Sequence, residues 1–391
     1  MGLIDRILED LETRRQNILH GRINCIPSPF KRFSNDFVGI EKGQYYLVTA
    51  NQKAGKTQLT NFIFVYNTLL YAFEHKDQIR LKIFYYPLEE TKENITLRFI
   101  AYLLYVYSNS TIILSSKDLR STRKDYPLSN EILLLLKQSP YKEILEFYEQ
   151  VVEFREEKNP TGIMKSIEEY YLTHGRIHKK IQTIVDKTTG EEEIVEAFDY
   201  YEPNDEDEYV LALVDHISLL NTESGLTIKG TIDLMSSYFV RLRNRYNLSP
   251  VVVQQQAAAQ ESIDNFKLHK LRPSSEGLAD SKYCSRDASI MLGLFSPARH
   301  EIQEYYGYDI RRLKNNIRFL EVCVNREGDQ NGLCPLYFNG AVNYFEELPL
   351  PTDPAINRFY EKVRTVNLLI KKQANIFRKL YDRITNRKKK S

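Results

Sequence analysis

The sequence predicts an α/β fold in which a mainly parallel sheet is flanked by helices. Three observations carry this. Apolar runs of strand length recur at 45–49, 82–86, 209–214, 250–254, 288–295 and 318–324, and helical stretches separate most of them. The first run leads into the loop Ala50-Asn51-Gln52-Lys53-Ala54-Gly55-Lys56-Thr57, after which an amphipathic helix opens near Gln58. At 391 residues the chain has room for one large α/β domain with additions.

The elements follow in order. Residues 3–20 read as one helix with Ile4, Ile7, Leu8, Leu11 and Ile18 near one face, ended by Gly21, Pro27 and Pro29. The loop at 50–57 is a phosphate cradle. Backbone N–H groups and the following helix N-terminus supply partial positive charge, the Lys56 ammonium reaches β- and γ-phosphates, and the Thr57 hydroxyl ligates Mg²⁺. Ala50 stands where the usual pattern opens with Gly. The second strand runs into Pro87-Leu88-Glu89-Glu90 and a helix over 91–105. Parallel strands bring their C-terminal ends to one edge, so Glu89 or Glu90 can face a γ-phosphate. Helix-terminal acids favoured by the dipole are the plainer reading of both. Glu89 is preferred as the base and Glu90 as the cap-region residue.

Between the second and third strands the pattern is less regular, with an insertion around 130–208. It holds helical stretches at 130–138, 141–155 and 164–174, then a hairpin of 180–185 with 192–199 turning at 187–190. An acidic loop at 204–208 precedes the strand Leu211-Ala212-Leu213-Val214-Asp215, which would deliver the Asp215 carboxylate to the Mg²⁺ water shell. His216 follows, where many ATPases, DNA-packaging motors among them, carry a catalytic Glu. The fourth strand ends in Gln254-Gln255-Gln256, a polar end where a side chain can report the state of a γ-phosphate. Residues 257–282 are polar, with Lys267, His269, Lys270, Arg272 and Lys282 spaced as donors to a nucleic-acid backbone. Beyond Pro354, a helical pattern over 359–383 ends in a basic run containing Arg387, Lys388, Lys389 and Lys390, either a nucleic-acid or partner arm or a solubilising tail.

Composition narrows the class. Lys and Arg number 54 against 52 Asp and Glu, so overall charge is neutral towards nucleic acid while the C-terminus is basic. The cysteines Cys25, Cys284, Cys323 and Cys334 are scattered without metal-ligand spacing, which points to a reducing, cytoplasmic compartment, that of the host if the chain is phage-encoded. No apolar run approaches the roughly 20 residues of a membrane helix. Arg6 occupies the position where an N-myristoylation signal needs Ser or Thr, and the charged N-terminus is unlike a secretory signal.

These motifs, in this order and spacing, resemble the RecA-like ATPase domain of DnaB-type ring helicases, including phage primase-helicases and the mitochondrial Twinkle protein. The resemblance spans about 21–345 and is weakest over 130–210. Ala50 is a common variant there, and Leu88-Glu89-Glu90 looks like the strand-two motif whose Glu is the catalytic base. Val214-Asp215-His216-Ile217-Ser218 is similar to the Asp-His-Ile-Ser form of phage primase-helicases, and Gly277–Ser281 through Arg286-Asp287-Ala288 matches a further family segment. Asn325-Arg326-Glu327-Gly328, with Gly332 and Phe338-Asn339-Gly340, looks like the terminal strands and their finger.

The resemblance implies ATP and Mg²⁺ as ligands, a homo-hexamer on single-stranded DNA, and a separate primase or helicase loader as partner. It makes Arg326 a finger on the neighbour's γ-phosphate and puts Gln256 at the sensor position by an ungapped reading, with Gln254 and Gln255 still open. It lines the central channel with residues 257–282 and makes helix 3–20 a linker that docks on the next subunit. The domain reading is thus a linker helix at 1–20, a RecA-like ATPase domain at 21–350 and a basic helical tail at 351–391. The family's primase or primase-binding domain has no counterpart before the 3–20 helix. Two further departures stand out: the finger's accompanying Lys is Val324, and the channel Arg and Gly are Ala279 and Lys282. A recombinase or annealing ATPase, and a loader or structural protein that binds nucleotide without cycling, are the rival functions.

Overall fold

A computed structural model describes residues 2–122, 127–185, 192–268, 270–328 and 332–365. Its centre is a nine-stranded sheet. In chain order the strands are β1 (Tyr46–Ala50), β2 (Arg80–Pro87), β3 (Val152–Phe154), β4 (Glu208–Asp215) and β5 (Ser249–Gln255). They continue as β6 (Ile290–Phe295), β7 (Ile317–Asn325), β8 (Leu333–Asn339) and β9 (Tyr344–Glu347). The spatial order is β9-β8-β7-β6-β1-β5-β4-β2-β3. Strands β6, β1, β5, β4, β2 and β3 are mutually parallel. Strands β7, β8 and β9 extend the sheet antiparallel from β6.

Strand periodicity sorts the core into two layers. Tyr46, Val48 and Ala50 point to one face with Leu211 and Leu213, whereas Leu47 points to the other with Val210, Ala212 and Val214. Both faces are covered, which is why these strands read as continuous apolar runs. The first face packs on α2, which runs through Lys56–Asn61, a π turn at Phe62–Asn67, and Thr68–Glu74. It also packs on α3 (Lys92–Tyr107) and α4 (Tyr141–Val151). The second face carries α5 (Pro160–Thr173) and α6 (Ile228–Tyr246). A third cluster under β7 and β8 includes Ile356, Phe359, Tyr360 and Val363, so the helical residues 356–365 pack on the domain itself.

The six expected strands are present within two residues of their expected ends. Three expectations change. The helix expected over 141–155 stops at Val151, because Val152, Glu153 and Phe154 pair with Ile83, Phe84 and Tyr85 as an edge strand. The helix expected at 164–174 starts at Pro160, whose fixed φ suits a first helical turn. The hairpin is longer, Gly175–Val185 against Glu192–Pro203, and its expected turn at 187–190 lies outside the described residues. The N-terminal helix, α1, spans Leu3–Leu19. It touches the rest of the chain through polar groups, Arg14 to Glu41 at 3.0 Å and Arg6 to Asp199 at 3.9 Å. Its Ile4, Ile7, Leu8 and Leu11 remain 46–65% exposed. His269 and the basic run at 378–390 fall outside the described residues.

Candidate active site

Parallel pairing brings the ends of β1, β2, β4, β5 and β6 to one sheet edge. The loop leaves β1 there. Asn51 is buried and its amide donates to Leu271 O at 3.2 Å, while Ala54 N–H donates to Asn51 O at 3.3 Å. Gln52 and Lys53 are exposed, and Lys53 turns the chain at φ 58°. Gly55 follows at φ 104°, the left-handed region that glycine tolerates best. Helix α2 then starts at Lys56, so the orphan N–H groups of its first turn face the loop. Beside Lys53 lies a cavity of about 590 Å³ whose cationic lining includes Arg299, Arg311 and Lys314.

Lys56 is 8% exposed, and its Nζ sits 3.6 Å from Glu89 Oε2. His216 Nε2 lies 3.8 Å from the same oxygen. Glu90 turns away and pairs with Arg98 of α3 at 2.6 Å. Glu89 therefore faces the loop and Glu90 does not. Thr91 caps α3 by accepting from Asn94 N–H, leaving Glu90 free for that pair.

Asp215 ends β4, tied to β2 by Leu88 N–H donating to its carbonyl at 3.0 Å. Its carboxyl is 4% exposed, accepts from Thr57, and leaves Oδ1 with no hydrogen-bond partner. Burial pushes its pKa up to about 6, against the opposing pull of Lys56 and Thr57. Burial and the Lys56 charge hold His216 below its ordinary value, the imidazole form. A buried, unpartnered carboxylate oxygen beside a loop hydroxyl suits a hydrated Mg²⁺. Among the described residues no cluster of three His, Cys, Asp or Glu side chains could hold a metal alone. A cation here would complete its shell with phosphate oxygens and water. Bound at Thr57 and Asp215, it would neutralise charge on the β- and γ-phosphates.

Gln256 is buried and bridges two elements: its amide donates to Thr49 Oγ1 at 2.9 Å and to Ser274 O at 3.0 Å. Gln254 donates to Ala279 O at 2.6 Å and Ser281 O at 2.7 Å. The end of β5 thus grips the segment carrying the DNA-binding candidates. Lys267 and Lys270 are exposed, Arg272 pairs with Glu321 at 3.3 Å, and Lys282 pairs with Glu276 at 2.5 Å.

Arg326 follows β7, which runs against β6, and Asn325 pairs with Ile290 at the start of that strand. It is exposed and donates to Ala288 O at 3.0 Å. Ile290 is level with Tyr46, so Arg326 lies the length of β1, about 16 Å, from its own phosphate loop. The same reversal puts Arg318, at the start of β7, on the loop edge, where its Nε donates to Ala54 O at 2.6 Å. Sequence reasoning took Arg318 only as a strand residue; the available signal was a charge opening an otherwise apolar run.

This sheet order, with its loop and strand-end carboxylates, is the RecA-like ATPase fold. More narrowly, it is the fold of DnaB-type helicase domains. The solved ATPase domain of one such helicase superposes with a TM-score of 0.62 at 15% identity, covering 89% of this chain and 100% of that one. A DnaB-like replicative helicase, solved in a study of its interactions with primase, gives 0.61 at 14% identity, covering 89% and 68%. No protein-family model and no curated protein matches the sequence.

Proposed function

We propose that the chain is an ATP-dependent DNA helicase of the DnaB type, translocating on single-stranded DNA as a homo-hexameric ring during replication. The observation that carries this reading is the division of catalytic groups between opposite sheet edges. Lys56, Thr57, Asp215 and Glu89 gather at one edge, while Arg326 stands exposed at the other. In this reading the loop 50–57 binds ATP, and Thr57 with Asp215 holds Mg²⁺. Glu89 takes the proton of the attacking water, and Arg326 of a neighbouring subunit meets the developing charge. Gln256 relays the state of the nucleotide to the channel segment, where Lys267, Lys270, Arg272 and Lys282 track the DNA backbone. The exposed apolar stripe of the N-terminal helix supports a linker that docks on the next subunit, and a primase or loader would be a separate protein.

A second reading, a loader or structural protein that binds nucleotide without cycling, draws support from the carboxylate partners of Arg272 and Lys282. ATP turnover with and without single-stranded DNA, alongside native mass, separates the two. The helicase reading expects DNA-stimulated turnover from a ring-sized species. Glu89→Gln lowers it by about 10² or more, the scale of a lost general base, and Glu90→Gln leaves most of it. Nucleotide binding by a monomer without turnover sinks the helicase reading.

A further inference from the structure

Arg318 is 1% exposed, and among the described residues it has no ion-pair partner. Its guanidinium is fixed on every side. Nη1 donates to Asn315 O at 2.9 Å and Ile317 O at 2.7 Å, and Nη2 donates to Asn315 Oδ1 at 3.0 Å. The plane lies 4.5 Å over the Phe338 ring, and Nε points at Ala54 O. Phe338 also reaches Gly55, where a Cβ would stand 3.6 Å from its Cζ. Arginine and ring together back the peptide that joins Ala54 to Gly55.

That peptide is trans. In a planar trans peptide the C=O and N–H point in opposite directions. With Ala54 C=O turned to the buried Arg318, the Gly55 N–H is directed away from the core, to the open side of the loop. At φ 104° Gly55 has wide conformational freedom, so the peptide needs an outside hold to keep this orientation. An uncompensated buried cation directly behind the loop also favours an anion in front of it.

We propose that Arg318 is a positioning residue that locks the Ala54–Gly55 peptide with its N–H presented to a nucleotide phosphate. The inference rests on the ATP-binding reading of the loop and adds a residue outside it. Burial, with Arg299 nearby, lowers the Arg318 pKa to about 9, a cost that a bound phosphate would offset.

A hydrogen bond to a phosphate acts in both ground and transition states, so its loss raises KM more than it lowers kcat. The test measures Kd for Mg-ADP and the KM and kcat for Mg-ATP in wild type, Arg318→Met, Arg318→Gln and Phe338→Leu. Arg318→Met, with no donor, is expected to weaken Mg-ADP binding about tenfold or more and raise KM by a similar factor. Arg318→Gln, whose amide can still donate to Ala54 O, is expected to recover part of this. Folded Arg318→Met with wild-type Kd and KM overturns the proposal, as does a loss confined to kcat. If Arg318→Met fails to fold, Phe338→Leu decides: removal of the ring beneath the guanidinium is expected to raise KM, and an unchanged KM overturns the proposal. A wild type that does not bind Mg-ADP instead refutes the ATP-binding reading itself.

Discussion

Lys56 cannot hold Glu89 and a γ-phosphate together, because a single ammonium serves both. In the nucleotide-free chain it sits 3.6 Å from Glu89, and His216 approaches the same carboxylate oxygen. Arrival of a triphosphate would draw Lys56 away and leave Glu89 beside a neutral imidazole. The sequence presented Glu89 and Glu90 as adjacent equals. What separates them is Arg98, eight residues on, which takes Glu90 onto α3, a pairing no strand pattern reveals. Asp215 was legible as an acid closing an apolar strand; its burial and orphan oxygen were not. Its pKa is raised, so the charged form is disfavoured by folding, and stability present at low pH is lost as pH rises through about 6. In metal- and nucleotide-free buffer at pH 8, Asp215→Asn is therefore expected to raise Tm by about 2 °C or more, with the gain shrinking towards pH 4. Thermal melts with a chelator present check this; an equal or lower Tm at pH 8 would mean that the carboxylate is not destabilising.

Among the elements, the central strands were readable because both faces are apolar and the runs have strand length. The short edge strand β3 was not, since three residues continue a helical pattern and only their pairing with β2 makes them a strand. The direction of β7 was equally hidden, because parallel and antiparallel strands look alike in sequence. That direction decides the roles of its two arginines, Arg318 at the loop edge and Arg326 at the far edge. The end of β5 carries the second element-scale consequence. Gln256 ties Thr49 before the phosphate loop to Ser274 in the channel segment, and Gln254 holds Ala279 and Ser281 beyond it. Gln256→Ala is expected to keep nucleotide binding and basal turnover while reducing DNA stimulation about tenfold or more. Stimulation at the wild-type level would remove β5 from the coupling path.

At the scale of the whole molecule, the chain carries half of an active site on each of two opposite edges. Arg326 is about 16 Å from its own loop by the register of β6 and β1, too far to touch a phosphate bound there. The central claim, that the two halves meet between subunits, is tested most directly by complementation. Arg326→Ala is expected to bind ATP and lose hydrolysis, by about 10³ for a finger acting in trans. Lys56→Ala is expected to lose both. Mixed and reassembled, the two inactive proteins should regain measurable ATP turnover, because some interfaces then pair an intact loop with an intact Arg326. Mixtures that co-assemble and stay inactive at every ratio would contradict a shared site.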